Sequence, residues 1–143
     1  DMLLLTKNPM ESLQNLNEIE YIFKSGKQIH PDSLLRDSPE AIVQRQLNAY
    51  NARNYQGFID TYSDDVELYN FPDKLIGKGM DALKRYESFF ANTPNLYCEI
   101  KKRIILGNKV IDHENVRAGN NILNAIAVYE VKNGKIAKVT FIR

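Results

Sequence analysis

The stretch Ile122-Leu123-Asn124-Ala125-Ile126-Ala127-Val128-Tyr129, followed by Glu130-Val131-Lys132-Asn133-Gly134-Lys135-Ile136, decides the fold class. Its β-branched and aromatic residues run into Asn133-Gly134, the dipeptide that best tolerates the left-handed backbone of a two-residue hairpin turn, so two antiparallel strands must meet there. The run is apolar almost throughout, as expected of a strand covered on both faces. Working outward, Leu96 to Leu106 turns at Gly107-Asn108 into Lys109 to Ala118, and Gly119-Asn120-Asn121 leads into Ile122 to Val131. With Lys135 to Arg143 these segments read as an antiparallel meander of long strands.

Upstream the period changes from two to 3.6. Ser38-Pro39-Glu40 carries a capping hydroxyl, a first-turn proline and an acid at the positive helix end, and it opens a helix with Val43, Leu47 and Tyr50 on one face and Ile42 widening the stripe. Asn54 caps a shorter helix in which Tyr55, Phe58, Ile59 and Tyr62 recur at i, i+3, i+4 and i+7. Val66 to Phe71 alternates as a strand that ends at Pro72. Gly77 and Gly79 bracket a turn into a third helix bearing Met80, Leu83, Tyr86 and Phe90, which Pro94 closes. The fold class is therefore α+β: about three helices packed on a curved antiparallel sheet.

At 143 residues with 43% hydrophobic content, the chain has enough apolar material for one core. Nineteen Lys and Arg against 18 Asp and Glu leave no field to draw in nucleic acid or an anionic membrane. The single cysteine, Cys98, excludes an intrachain disulfide and sits in an alternating apolar run, where a buried inert thiol is expected. No stretch has the roughly 20 apolar residues of a membrane span, and Met2 to Leu5 is too short for the core of a signal peptide. The chain reads as soluble and cytoplasmic. Two histidines, His30 and His113, with no recurring ligand spacing imply no metal, and Gly77-Lys78-Gly79 falls short of a phosphate loop, so no cofactor is expected.

Residues 38–143 resemble the nuclear transport factor 2-like fold, a conical α+β roll, and within it the SnoaL-like and ketosteroid isomerase-like branch. The resemblance is carried by Ala49-Tyr50-Asn51-Ala52, Tyr62-Ser63-Asp64-Asp65-Val66, Phe71-Pro72, Gly77-Lys78-Gly79, Val110-Ile111-Asp112-His113-Glu114 and Tyr129 to Ile136. It implies a pocket for a small apolar or amphipathic molecule, and the apolar strand Ile122 to Tyr129 implies a homodimer, with a second copy covering the face that the helices leave open. It does not imply one reaction, since the fold hosts isomerases, cyclases, epoxide hydrolases and proteins without catalysis. Where steroid isomerases place a carboxylate base, a helix-one tyrosine and a protonated aspartate, this chain places Asn70, Gln46 and Val128 or its neighbour. Where the epoxide hydrolases need an Arg, an Asp and a second Asp, it offers Asn115, Arg117 and Phe141, and only Asn70 matches.

The remaining candidates lie on the strand Lys109 to Ala118. Alternation puts His113, Asn115 and Arg117 on one side and Asp112, Glu114 and Val116 on the other. The family resemblance turns the first set toward the pocket, so that His113 is the candidate general acid or base, with Tyr50 and Asn70 as hydrogen-bonding partners and Gln46, Asn115, Arg117, Val128 and Phe141 on the pocket wall. The preferred reading is that His113 is a hydrogen-bonded structural residue in a polar pocket wall and that the domain binds a small molecule or mediates dimerisation without catalysis; a small proton-transfer enzyme is the rival. A one-residue change of register would exchange the faces and bring Asp112 and Glu114 inward, either as an acid–base pair or, more simply, as acids paired with Lys101, Lys102 or Arg103. Tyr62, Tyr86 and Tyr129 read as core aromatics with hydroxyls at the rim, and Arg143 as the end of the last strand.

Residues 1–29 form a separate segment. Met2 to Leu5, Asn8-Pro9, Leu13-Gln14-Asn15-Leu16, Ile19 to Phe23 and Ser25-Gly26-Lys27 order a strand, a turn, a short helical turn and a strand. This resembles the closing segment of imidazolonepropionase-type amidohydrolases, where it completes a small β-sandwich. The resemblance implies that a pocket domain follows an amidohydrolase whose metal ligands are not in this sequence. Residues 1–37 are accordingly taken as that segment plus a linker from His30 to Asp37, and 38–143 as the pocket domain.

Overall fold

The computed structural model describes residues 1–17, 19–29 and 38–143; the linker expected over 30–37 lies outside the described residues. The chain divides into two units, Asp1–Ser38 and Pro39–Arg143. The first unit is a three-stranded antiparallel sheet of β1 (Met2–Leu5), β2 (Ile19–Lys24) and β3 (Lys27–Ile29), with a 3-10 turn at Leu13–Asn17. The third strand is short and polar, which hid it from the period-two signal. Ser25 and Gly26, both at positive φ, make the tight turn into it.

The second unit contains α1 (Pro39–Asn51), α2 (Tyr55–Ile59), α3 (Arg85–Asn92) and six strands: β4 (Tyr62–Asn70), β5 (Lys74–Lys78), β6 (Tyr97–Leu106), β7 (Lys109–Ala118), β8 (Asn121–Lys132) and β9 (Lys135–Ile142). Pro39 takes the first helical position of α1 and Glu40 its first turn. Asn54 caps α2, its side chain accepting from the Gly57 amide at 3.0 Å. The third helix is broken in two: Met80–Leu83 is a 3-10 turn and only Arg85–Asn92 is α-helical. Gly77 lies inside β5 and not at a helix entry, because two lysines and a glycine in five residues mask the strand; Gly79, at φ +67°, makes the actual turn.

The sheet order is β5-β4-β9-β8-β7-β6. All neighbours are antiparallel except β4 and β9, which run parallel, so the purely antiparallel sheet expected from the sequence is a mixed one. Register shifts at Leu68/Tyr69, Ile100/Lys102 and Glu130/Val131 add local twist and bend the sheet around the helices. Ile42 and Val43 of α1 meet Val66, Leu68, Val110, Ala127, Ile136 and Val139 of the concave face. An aromatic group closes one end: Phe58 lies 4.8 Å from Tyr86, 5.0 Å from Tyr62 and 5.3 Å from Phe90 between ring centroids. These rings cannot fill the curved space completely, and a cavity remains between α1, α3 and the sheet.

Candidate functional site

The cavity encloses about 420 Å³. Its apolar walls come from Leu47 of α1, Phe89 of α3, Val116 and Ala118 of β7, and Leu123 and Ala125 of β8; Gln46, Tyr50, Tyr62, Tyr86, Tyr129 and Glu114 supply its polar points, with Arg85 and Arg143 at the exposed margin. Which residues enter is set by pairing register. Asp112 pairs with Ala127 and Glu114 with Ala125, both alanines being buried, so that parity of β7 faces inward.

The opposite parity faces out. His113 is exposed between Lys102 and Ile126, Asn115 pairs with Glu99 and Asn124, and Arg117 pairs with Tyr97 and Ile122. Val128, paired with Ile111 and Thr140, shares that outer face. The expectation that His113, Asn115, Arg117 and Val128 line the pocket is therefore corrected by one residue of register. Gln46, Tyr50 and Phe141 do line the cavity. Asn70 pairs with Phe141 but is not on the wall, and its buried Oδ1 has no hydrogen-bond partner. Tyr50 and Asn70 are thus not brought together with His113.

The polar groups inside are ordered by their neighbours. Tyr129 Oη donates to Glu114 Oε1 at 2.8 Å, and Gln46 Nε2 donates to Tyr62 Oη at 3.1 Å, leaving the Tyr62 proton for another acceptor. These hydroxyls lie inside the cavity, not at its rim. Asp112, 1% exposed, is gripped by Arg103 through Nε–Oδ1 and Nη2–Oδ2 contacts of 2.7 Å each, while Arg103 Nη1 donates to Gln44 Oε1. Asp112 is thereby the ion-paired acid that the alternative register allowed. Glu114 has no such cation. Burial pushes its carboxyl up to about 7; the nearby Asp112 charge adds to the rise, and the Tyr129 hydrogen bond and Arg143 oppose it. Burial likewise raises Tyr50, Tyr62, Tyr129 and the Cys98 thiol, so all four are protonated at neutral pH. Among the described residues no group of three metal-ligating side chains converges.

The family model for the SnoaL-like domain matches residues 43–139, which supply all of the cavity lining but Phe141 and Arg143. The chain belongs to this family. Comparison with curated proteins finds no match. Among solved structures, this SnoaL-like domain is similar to an uncharacterised cystatin-fold protein from Novosphingobium aromaticivorans, at 24% identity and TM-score 0.69, over 74% of this chain and 98% of that one. It is also similar to an NTF2-like protein of unknown function from Cytophaga hutchinsonii, at 13% identity and TM-score 0.63, over 73% and 88% of the two chains. A third similar structure, a computationally designed 17-OHP binder, shows 16% identity and TM-score 0.63 over 73% and 90%. At these identities the likeness establishes the nuclear transport factor 2-like fold of the SnoaL-like domain, which agrees with the resemblance read from its sequence. The segment 1–29 falls outside the matched family span.

Proposed function

We propose that the SnoaL-like domain binds a small, largely apolar molecule in this cavity and that Glu114 moves a proton on it. The observation that carries the reading is the Glu114 carboxyl, buried in the wall of an apolar cavity with the Tyr129 hydroxyl at 2.8 Å, where burial pushes it up to about 7. Near neutral pH Glu114 populates both forms, so it serves as base in one step and acid in the next. Tyr62 of β4 and Tyr50 of α1, both neutral and both lining the cavity, are the hydroxyl donors for an oxygen that gains negative charge. This is isomerisation, dehydration or cyclisation chemistry, with Glu114 in the role first considered for His113. That the similar designed protein is a binder of 17-OHP supports the capacity of such a cavity for an apolar guest.

The test is deuterium exchange at the carbon next to the carbonyl of 2-tetralone, an apolar enolisable ketone, followed by NMR. Wild type is expected to accelerate exchange over buffer, with the rate rising through about pH 7 as Glu114 ionises, and Glu114→Gln to abolish the acceleration. No acceleration by wild type would remove the proton-transfer reading. Unchanged exchange in Glu114→Gln would remove Glu114 from it.

A second reading, self-association, is favoured by the convex face of the sheet. Ile104 and Ile122 are 58% and 63% exposed there, beside half-buried Ile111, Ile126 and Val128. A second copy of this chain is the occupant that covers such a face with its own equivalent rows, in an isologous contact. The attachment of this domain to an amidohydrolase is supported by the order of elements in residues 1–29. A native gene product of several hundred residues, read by intact mass, is the expected result.

A further inference from the structure

The cavity is apolar in its depth and cationic at its margin. Arg85, the first residue of α3, and Arg143, just past β9, are exposed residues that also line the cavity, so they flank its opening. Each guanidinium lies over an aromatic ring of the same wall: Arg85 Cζ is 5.3 Å from the Tyr86 centroid and Arg143 Cζ 4.9 Å from that of Phe141. A guanidinium held near a ring by cation–π attraction keeps its N–H donors unspent, and such a donor set can receive a planar anion in forked geometry.

Among the described residues neither arginine makes an ion pair, although Arg143 acts on the Glu114 carboxyl through space. Lys78, Lys84, Lys101, Lys109 and Arg103 all have carboxylate partners within 3 Å, whereas among the described residues neither Arg85 nor Arg143 has one within 4.0 Å. The one acid of the lining, Glu114, is deep, buried and already hydrogen-bonded by Tyr129. Two cations at the opening against one partly protonated acid inside leave an excess positive charge that neither a neutral nor a cationic guest would use.

Resting on the reading of the cavity as a small-molecule site, we propose that its ligand has an apolar, ring-containing body and one anionic end, a carboxylate or sulfonate, which Arg85 and Arg143 hold at the opening. The body lies along Phe89, Leu123 and Ala125, and the reacting part reaches Glu114. An anion at the inner end is disfavoured, because Glu114 in its charged form would repel it there.

Two fluorescent probes of the same body separate charge from shape: 1-anilinonaphthalene-8-sulfonate, and N-phenyl-1-naphthylamine, which lacks the sulfonate. Titrated into the full chain at low salt, the sulfonate is expected to bind roughly tenfold more tightly, in line with two partly exposed charge-assisted contacts. Arg85→Gln and Arg143→Gln should each weaken the sulfonate several-fold and leave the neutral probe unchanged; both sites are exposed, so folding is not at stake. Ala125→Phe, which fills the cavity, should weaken both probes. Equal affinities for the two probes, or indifference of the sulfonate to both arginine substitutions, would overturn the anion assignment while leaving the cavity as a binding site. Indifference of both probes to Ala125→Phe would instead overturn the cavity reading and the assignment with it.

Discussion

The Tyr129 hydroxyl and the Glu114 carboxylate meet at 2.8 Å inside the cavity, one strand apart, with no cation bridging them. A phenol donating to a carboxylate stabilises the charged form, yet burial outweighs it and Glu114 stays up at about 7. The balance of these two effects makes the site adjustable, and it leads directly to two predictions.

Removing the phenol should raise Glu114 further. Tyr129→Phe keeps the ring in the core and deletes only the donor, so the midpoint of Glu114, followed by carbonyl NMR chemical shift, is expected to move upward. A downward or absent shift would mean that the hydrogen bond does not act on the carboxylate.

Glu114 also makes folding depend on pH. Its folded value, about 7, lies above the unfolded value of 4.5, so between these pH values the folded state binds more protons. Stability from this group is therefore full below the unfolded value, declines as pH rises from there to about 7, and is level above. The total is on the order of 3 kcal/mol for a shift of this size. Glu114→Gln should be more stable than wild type at pH 8 and gain little at pH 4.5, read from urea unfolding at the two pH values.

The buried pair below it behaves differently. Arg103→Met leaves Asp112, 1% exposed, without its cation, at an expected cost of about 3–5 kcal/mol. Asp112→Asn in the same chain should recover part of that loss, because the uncompensated charge is then gone. Equal stability of the single and double variants would show that the charge is not what matters.

The convex sheet face predicts a dimer. Sedimentation of wild type at tens of micromolar is expected to give twice the chain mass, and Ile104→Lys, at a site 58% exposed, should give a folded monomer whose thermal midpoint no longer rises with protein concentration. A monomeric wild type would end this reading.

Most of the frame was legible because local chemistry and packing agree. The Asn54 cap, the helical stripe of Ile42, Val43 and Leu47, and the Asn133-Gly134 hairpin, with φ of +51° and +74°, all appear where the sequence puts them. The site was harder because β7 carries ionisable residues on both faces, so a period of two cannot say which face is inside. The signal that settles parity was present in the bracketing residues. Val110, Val116 and Ala118 share a face with Asp112 and Glu114, while His113 shares one with Asn115 and Arg117. Two buried acids among small apolar residues look wrong by hydropathy, and they look right only once Arg103 and Tyr129 are seen beside them. Strands β3 and β5 were missed for a simpler reason: Lys27-Gln28-Ile29 is too short to show a period, and Lys74 to Lys78 mixes two lysines and a glycine with only two apolar residues.

The parallel seam between β4 and β9 sets an order on synthesis. Tyr62 finds its sheet partner at Ile136 and Asn70 finds Phe141, so this seam, one strand in from the β5 edge, joins segments about seventy residues apart. On the ribosome, β4 and β5 emerge early, with α1 and α2 made before them, and the inner edge of β4 stays unpaired until β9 is translated. During that interval the strand that carries Val66 and Leu68 lacks its β9 partner, and a chain stalled before residue 136 would present it to chaperones as an open edge.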